Sequence, residues 1–193
     1  LLIEKNYKEI VLTGVDLTSY GSDFEKKISL SKLVKTILNS LPQLNRLRLS
    51  SLDIAEIDDE LINLYGSEKR LLPHIHLSLQ AGDNMILKRM KRRHSREDAI
   101  NAIERIRTVR PDIVFGADLI AGFPTETEEM FLNSVRLIDE CNITFLHVFP
   151  FSPRDGTPAA RMPQLDREII KKRAKILRNI GERKITEHYD KLK

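Results

Sequence analysis

Polar side chains recur at every second position of several short apolar runs, and they are the residues best placed to do chemistry. Residues two apart in a β-strand point to the same face, so each polar set would line one face of its strand. The set comprises Glu9, Thr13, Arg46, Arg48, Ser50, His74, His76, Ser78, Gln80, Asp118 and His147. Burying a polar group without a hydrogen-bond partner costs roughly 1 to 3 kcal/mol. If these strand faces meet in the interior of the protein, their polar groups must therefore have partners. Two interpretations stay open: the face holds a polar cofactor, or its charged members neutralise one another.

Histidine and cysteine do not form a recognisable set of metal ligands in this sequence. His74 and His76 share a predicted strand face, but no carboxylate or thiol recurs at ligand spacing beside them. Cys141 is the single cysteine, and it falls late in a predicted helix, where we expect a packed apolar residue. We therefore expect no metal site and no internal disulfide framework, and one cysteine suits a cytosolic protein.

The elements that must position the polar residues alternate between strand and helix. Predicted strands span residues 9–13, 44–51, 75–80, 113–121 and 143–151. Predicted helices follow at residues 30–41, from Asp58 to a stop at Gly66, from Ser95 with Asp98 as a near capping box, from Thr125 with Glu128 towards Cys141, and from Asp166 onwards. Such alternation predicts parallel strands with crossover helices, in an open sheet or a barrel. The polar strand faces favour a barrel with a polar interior.

The bulk composition indicates a globular domain without a membrane span. The chain has 193 residues, of which 31% are charged and 41% hydrophobic, and no apolar run is long enough to cross a bilayer. The formal net charge of +4 favours contact with a polyanion. The chain begins at Leu1, without methionine or a secretion signal, so we expect that an upstream part is missing.

Six sequence blocks, in order and over nearly the whole chain, resemble the signature blocks of the radical S-adenosylmethionine (SAM) tRNA methylthiotransferases. They are residues 12–21, 48–52, 76–82, 87–94, 118–127 and 149–160. The segments 88–94, 122–127 and 160–164 most resemble the branch that adds a methylthio group to carbon 2 of N-threonylcarbamoyladenosine beside the tRNA anticodon. The alternatives are the isopentenyladenosine branch, the branch acting on a ribosomal protein, and a non-catalytic barrel or RNA-binding module.

The resemblance implies an α/β fold, a partial parallel (β/α) barrel of the radical SAM type that lacks its first strand and cysteine loop. Residues 1–165 would form the truncated barrel, and residues 166–193 a helix leading towards a missing RNA-binding domain. Family members carry two 4Fe-4S clusters, one of which binds SAM, and receive electrons from a donor such as flavodoxin or ferredoxin. The cluster cysteines are absent here, so we expect this chain alone to be inactive. The parent enzyme would be cytoplasmic, with the tRNA anticodon loop as its partner.

The resemblance also implies which residues bind cofactor and substrate. Thr13 and Gly14 would approach the methionine end of SAM, and Ser50, Ser51 and Gln80 would suit its carboxylate and ribose. Asp118 would face the interior, and the segment starting at Gly122 would run beside the adenine. Arg154, in a loop after the last strand, either pairs with a substrate carboxylate or phosphate or is a solvated charge.

Two structural expectations follow for the sheet. Thr13, Ser50, Gln80 and Asp118 should converge on one face towards the carboxyl ends of the strands. Residues 9–15 should form an exposed edge that is inclined to self-associate, because the preceding strand would be missing.

Overall fold

The computed structural model describes residues 2–14 and 16–193, and their strands form two parallel sheets. The strands are β1 (Glu9–Leu12), β2 (Arg46–Leu49), β3 (Ser51–Leu52), β4 (His74–Gln80), β5 (Val114–Ala121) and β6 (Phe145–Pro150). One sheet has the order β1-β2 and the other β3-β4-β5-β6. The pairs β1-β2, β3-β4 and β5-β6 are parallel. The α/β fold with parallel sheets is therefore confirmed.

Helices follow the strands, and most begin where the sequence places a capping residue. They are α1 (Leu30–Ser40), α2 (Asp59–Ser67), α3 (Asn84–Arg89), α4 (Arg96–Val109), α5 (Glu128–Glu140) and α6 (Arg167–Asp190). The predicted capping box is confirmed, because the Ser95 amide donates to Asp98 Oδ2 at 2.8 Å and the Asp98 amide donates to Ser95 Oγ at 3.0 Å. Among the described residues, no helix combines the length and hydrophobicity that crossing a bilayer requires.

Three local predictions were wrong. Helix α2 continues through Gly66 to Ser67, so this glycine does not stop it. Helix α5 is capped by Thr127, whose Oγ1 accepts a hydrogen bond from the Met130 amide, whereas Thr125 has a positive φ of 66° that a helix cap does not adopt. The single strand predicted over residues 44–51 is divided at Ser50 between the two sheets.

The chain divides into two compact units. The first unit comprises Leu1–Leu77 and Ala102–Val114, and the second comprises Ser78–Asn101 and Phe115–Lys193. In the first unit, the apolar strand residues Leu47, Leu49 and Ile75 are at most 2% exposed, as their alternation predicts. In the second, β5 buries Phe115, Ala117 and Leu119, and α6 packs against β6. Cys141 is buried in this second unit, so its prediction as a packed residue is confirmed.

The predicted exposed edge concerns the first strand. Within the described residues β1 pairs with β2 alone, and Val11 is 49% exposed. Val15, the end of the predicted edge, lies outside the described residues. Self-association through this edge stays a prediction.

Candidate functional site

The polar face of the first unit is partly neutralised within itself. The Glu9 carboxylate accepts hydrogen bonds from Arg48 Nε at 2.8 Å and from Arg46 Nε at 2.9 Å. The hydrogen bond from Arg48 is the largest influence on the pKa of Glu9, which is held below its usual value. For these three residues, mutual pairing is therefore the correct interpretation.

The ends of β1 and β2 bring together three of the predicted cofactor residues. Leu12 is in register with Leu49, so Thr13 and Gly14 follow β1 at the level where Ser50 follows β2. The Ser50 amide donates to the Leu12 carbonyl at 2.9 Å. Its hydroxyl is buried and has no hydrogen-bond partner among the described residues. A buried hydroxyl without a partner fits a polar ligand at this end of the strands.

Ser51 is placed differently from Ser50. It lies in β3 and is in register with His76 of β4. The predicted pair of neighbouring serines is therefore divided between two sheets, and only Ser50 ends a strand beside Thr13.

The second unit contains a cavity of about 460 Å³ at the carboxyl ends of β5 and β6. Three predicted site residues, Gln80, Asp118 and Arg154, line this cavity. Its other walls are Ile120, Phe149, Pro150, Phe151, Ser152, Thr157 and Ala159. The cavity thus joins an amide, a carboxylate and a guanidinium to aromatic and aliphatic walls.

Asp118 supplies the carboxylate of this cavity, and the register of β5 and β6 places it beside a histidine. It is paired in register with His147 of β6, and its Oδ1 lies 3.3 Å from His147 Nδ1. The Asp118 side chain is 21% exposed and the His147 side chain 63% exposed. Asp118 is therefore mostly enclosed, whereas its imidazole neighbour remains open to solvent.

Gln80 lies where β4 ends in a tight and strained turn. Its φ is 66°, and the Ala81 amide donates to the Leu79 carbonyl across it at 2.8 Å. A three-residue turn with positive φ is rare and costs conformational energy for a residue other than glycine. Such strain persists only where the surrounding structure enforces it, and here it fixes the amide that lines the cavity.

A second cavity, of about 400 Å³, shares Gln80, Ile120, Thr157 and Ala159 with the first. Its remaining lining residues are Arg89, Met90, Lys91, Arg92, Phe123 and Pro158. Arg92 Nη2 donates to the Ser78 carbonyl at 3.0 Å, which holds this guanidinium against β4. The basic segment 88–94 resembles a family signature in the sequence, and its role as a cavity wall was not predicted.

The loop after β5 is held by a buried ion pair that sequence analysis also missed. The Gly122 amide donates to Glu126 Oε2 at 3.0 Å, and Arg173 Nη1 of α6 donates to the same oxygen at 2.8 Å. The Glu126 and Arg173 side chains are only 1% and 7% exposed. Burial raises the pKa of Glu126, and the charge of Arg173 opposes this change. Arg173 lies between Ile170 and Ala174 on the apolar side of its helix, a placement that could have identified it.

Gly122 itself is required by the packing of this loop. Its φ is 76°, and a Cβ at this position would lie 2.7 Å from Ile170 Cγ1. The loop therefore approaches α6 more closely than any residue with a side chain allows.

The comparisons with known proteins agree with this geometry. The family model of the radical SAM superfamily matches residues 1–138. Threonylcarbamoyladenosine tRNA methylthiotransferase MtaB of Rickettsia prowazekii is 54% identical over 97% of this chain and 45% of the relative. The enzyme of the same name from Aquifex aeolicus is 41% identical over 100% of this chain and 47% of the relative. The tRNA-2-methylthio-N(6)-dimethylallyladenosine synthase of Erythrobacter litoralis is 36% identical over 89% of this chain and 39% of the relative.

The chain spans less than half the length of these curated relatives. Among solved structures, coproporphyrinogen III oxidase HemN from Escherichia coli, described as a radical SAM enzyme, superposes with a TM-score of 0.64 at 14% identity. That match covers 80% of this chain and 37% of HemN. The radical SAM methyltransferase TsrM from Kitasatospora setae gives a TM-score of 0.60 at 16% identity, over 77% of this chain and 28% of TsrM. These likenesses establish the fold, and the match of the family model over residues 1–138 places the chain in the radical SAM superfamily.

Proposed function

We propose that this chain provides the SAM-binding and base-binding surfaces of a tRNA methylthiotransferase that acts on N-threonylcarbamoyladenosine in the cytoplasm. The observation that carries the proposal is the first cavity, which Gln80, Asp118 and Arg154 line, together with a second cavity that shares Gln80 with it. The 54% identity to a threonylcarbamoyladenosine tRNA methylthiotransferase supports this choice of reaction.

The residues of the second unit fit the chemical groups of SAM. The adenine ring is flat and apolar on its faces, and Ile120, Phe123 and Phe151 supply apolar surface at the cavities. Phe123 and Phe151 already contact each other edge to face, with ring centroids 5.2 Å apart. Asp118 offers a carboxylate for ribose hydroxyls.

In the first unit, the buried Ser50 hydroxyl supports a polar ligand at the ends of β1 and β2. Thr13 and Gly14 lie at the same strand ends, where a glycine lets a ligand approach the backbone. We assign these three residues to the methionine part of SAM.

When bound beside a 4Fe-4S cluster, SAM would supply the radical chemistry needed at carbon 2 of the adenine base. The 193 residues contain one cysteine, Cys141, and it is buried. The cysteine ligands of the two clusters would therefore come from outside these residues. Flavodoxin or ferredoxin would serve as the electron donor of the parent enzyme. The role of this chain is to bind, orient and enclose SAM and the target base.

The target base would come from a tRNA anticodon loop, where an unstacked base can turn into a pocket. The net charge of +4 and the exposed Arg154 beside the first cavity support contact with a polyanion. A dimethylallyladenosine substrate is the second candidate, supported by relatives of that name at 36 to 40% identity.

Binding of SAM tests the cofactor part of the proposal. An NMR titration of the chain with SAM should give shifts at Gln80 and Ile120, and Asp118→Ala should weaken binding about tenfold, the size of one hydrogen bond to a charged group. Asp155→Ala is the matched control, because Asp155 is exposed and does not line the cavity. Equal affinities of the two variants would contradict the assignment.

A chimera tests the reaction. The matching segment of the Rickettsia prowazekii relative is replaced by this chain, and the modified nucleosides of the tRNA are measured by mass spectrometry. We expect the methylthio product of threonylcarbamoyladenosine. A folded chimera that binds SAM but modifies only dimethylallyladenosine would contradict the proposed substrate.

A further inference from the structure

We infer that Arg89 and Lys91, at the rim of the second cavity, bind the carboxylate of the threonylcarbamoyl group and thereby select this base over its dimethylallyl counterpart. The inference rests on the proposed function and assigns a substrate contact to two residues of segment 88–94 that the proposed function leaves without a role. Both residues line the cavity of about 400 Å³ beside Gln80 and Ile120.

The backbone after α3 is built to hold Lys91 at this rim. The Lys91 amide donates to the Lys88 carbonyl at 3.0 Å, and the Arg92 amide donates to the Leu87 carbonyl at 2.9 Å. This pair of hydrogen bonds is the Schellman ending of a helix, in which the residue with positive φ is usually glycine. Here that residue is Lys91, with a φ of 57°. Lys91 therefore carries a side chain at a position that favours glycine by about 1 to 2 kcal/mol, and such strained positions cluster at ligand sites.

In the part of the chain that the structure describes, the charges of Arg89 and Lys91 have no carboxylate partner. Arg89 makes a long hydrogen bond of 3.4 Å to the Thr125 carbonyl. Other arginines of the same unit are paired: Arg96 contacts Glu140 at 2.6 Å, and Arg173 contacts Glu126 at 2.8 Å. Two neighbouring cations without carboxylate partners at a cavity rim form an attractive site for an anion.

The rest of the cavity matches the other parts of a threonylcarbamoyl group. Threonine carries a carboxylate, a hydroxyl and a methyl group, whereas a dimethylallyl group is wholly apolar. Met90 and Phe123 supply apolar wall for the methyl group, and the Thr157 side chain lies in the same wall. A dimethylallyl group entering here would desolvate Arg89 and Lys91 without giving them a partner, which disfavours that base.

Arg89 and Lys91 could bind either the threonylcarbamoyl carboxylate or an RNA phosphate. Nucleosides carry no phosphate, so their binding tests the carboxylate alone. The probes are N6-threonylcarbamoyladenosine, its methyl ester, and N6-dimethylallyladenosine, with affinities measured by NMR titration of the chain in the presence of SAM. We expect the carboxylate nucleoside to bind at least about tenfold more tightly than the ester, as for a charged hydrogen bond.

The variants are Arg89→Gln and Lys91→Asn, the latter because asparagine tolerates positive φ. Each should weaken binding of the carboxylate nucleoside about tenfold and leave the affinity for the ester unchanged. Lys88→Gln is the matched control, because Lys88 is exposed on the same helix and does not line the cavity. Circular dichroism confirms that each variant is folded.

Two outcomes would overturn the inference, and a third would count against the proposed function. Variants that weaken binding of an unmodified RNA oligonucleotide but not of the nucleoside would show a phosphate contact and overturn it. A chain that binds SAM yet does not distinguish the carboxylate nucleoside from its ester would also overturn it, while the proposed cofactor site stands. Failure to bind SAM would instead count against the proposed function.

Discussion

Replacing Gly122 by alanine tests how tightly the loop after β5 is fixed against α6. The added methyl group introduces two separate penalties. A residue other than glycine at a φ of 76° costs about 1 to 2 kcal/mol. The new Cβ would also lie 2.7 Å from Ile170 Cγ1 and 3.1 Å from Ile170 Cα, and overpacking of this kind costs about 1 to 3 kcal/mol. We therefore expect Gly122→Ala to lower the free energy of unfolding by about 2 to 5 kcal/mol.

Gly156 is a matched control for the conformational penalty. Its φ is 81°, but a Cβ there would meet nothing within 4 Å. Gly156→Ala should therefore cost only about 1 to 2 kcal/mol. Urea unfolding followed by circular dichroism gives both values, and Ile170→Ala added to Gly122→Ala should recover part of the difference. If Gly122→Ala were no more destabilising than Gly156→Ala, the close contact with α6 would be wrong.

Three further predictions concern buried groups. Gly82→Ala should be more destabilising than Gly122→Ala, because its Cβ would lie 2.6 Å from the backbone Cα of Ser134, and thermal melting should show the larger decrease. Arg173→Met should cost about 3 to 5 kcal/mol by leaving Glu126 buried without its partner, and urea unfolding should show partial rescue by an added Glu126→Gln. Burial lowers the pKa of His74 to about 4. Between pH 6.5 and 4, His74 is therefore protonated in the unfolded chain but neutral in the folded state. Stability should then decrease as pH falls from about 6.5 towards 4, and His74→Gln should weaken this dependence; an unchanged pH profile would contradict it.

The sheet was predictable because its signals are local. The alternation of Leu47, Leu49 and Ile75 with polar residues reports directly which face of each strand is buried. The Ser95 and Asp98 capping pair needs only a three-residue spacing. The helix α3 was missed because its six residues are too few to show a helical period.

The site was only partly predictable because it depends on contacts between distant residues. Gln80, Asp118 and Arg154 were found because strand ends and the following loops bring them to one cavity. Glu126 and Arg173 are 47 positions apart in the sequence, so no local pattern predicts their contact. Thr125 was mistaken for a helix cap because its positive φ cannot be read from a sequence in which Thr127 is an equally good cap.

The clamp formed by Arg173 also makes the loop after β5 dependent on the order of synthesis. The ribosome makes the chain from its N-terminus, so Gly122 and Glu126 emerge well before Arg173. Until α6 is made, Glu126 lacks its Arg173 partner, and the turn is held only by local contacts such as the hydrogen bond from the Gly122 amide to Glu126 Oε2. The contacts that hold the cavity wall containing Phe123 are therefore complete only after α6 has been made.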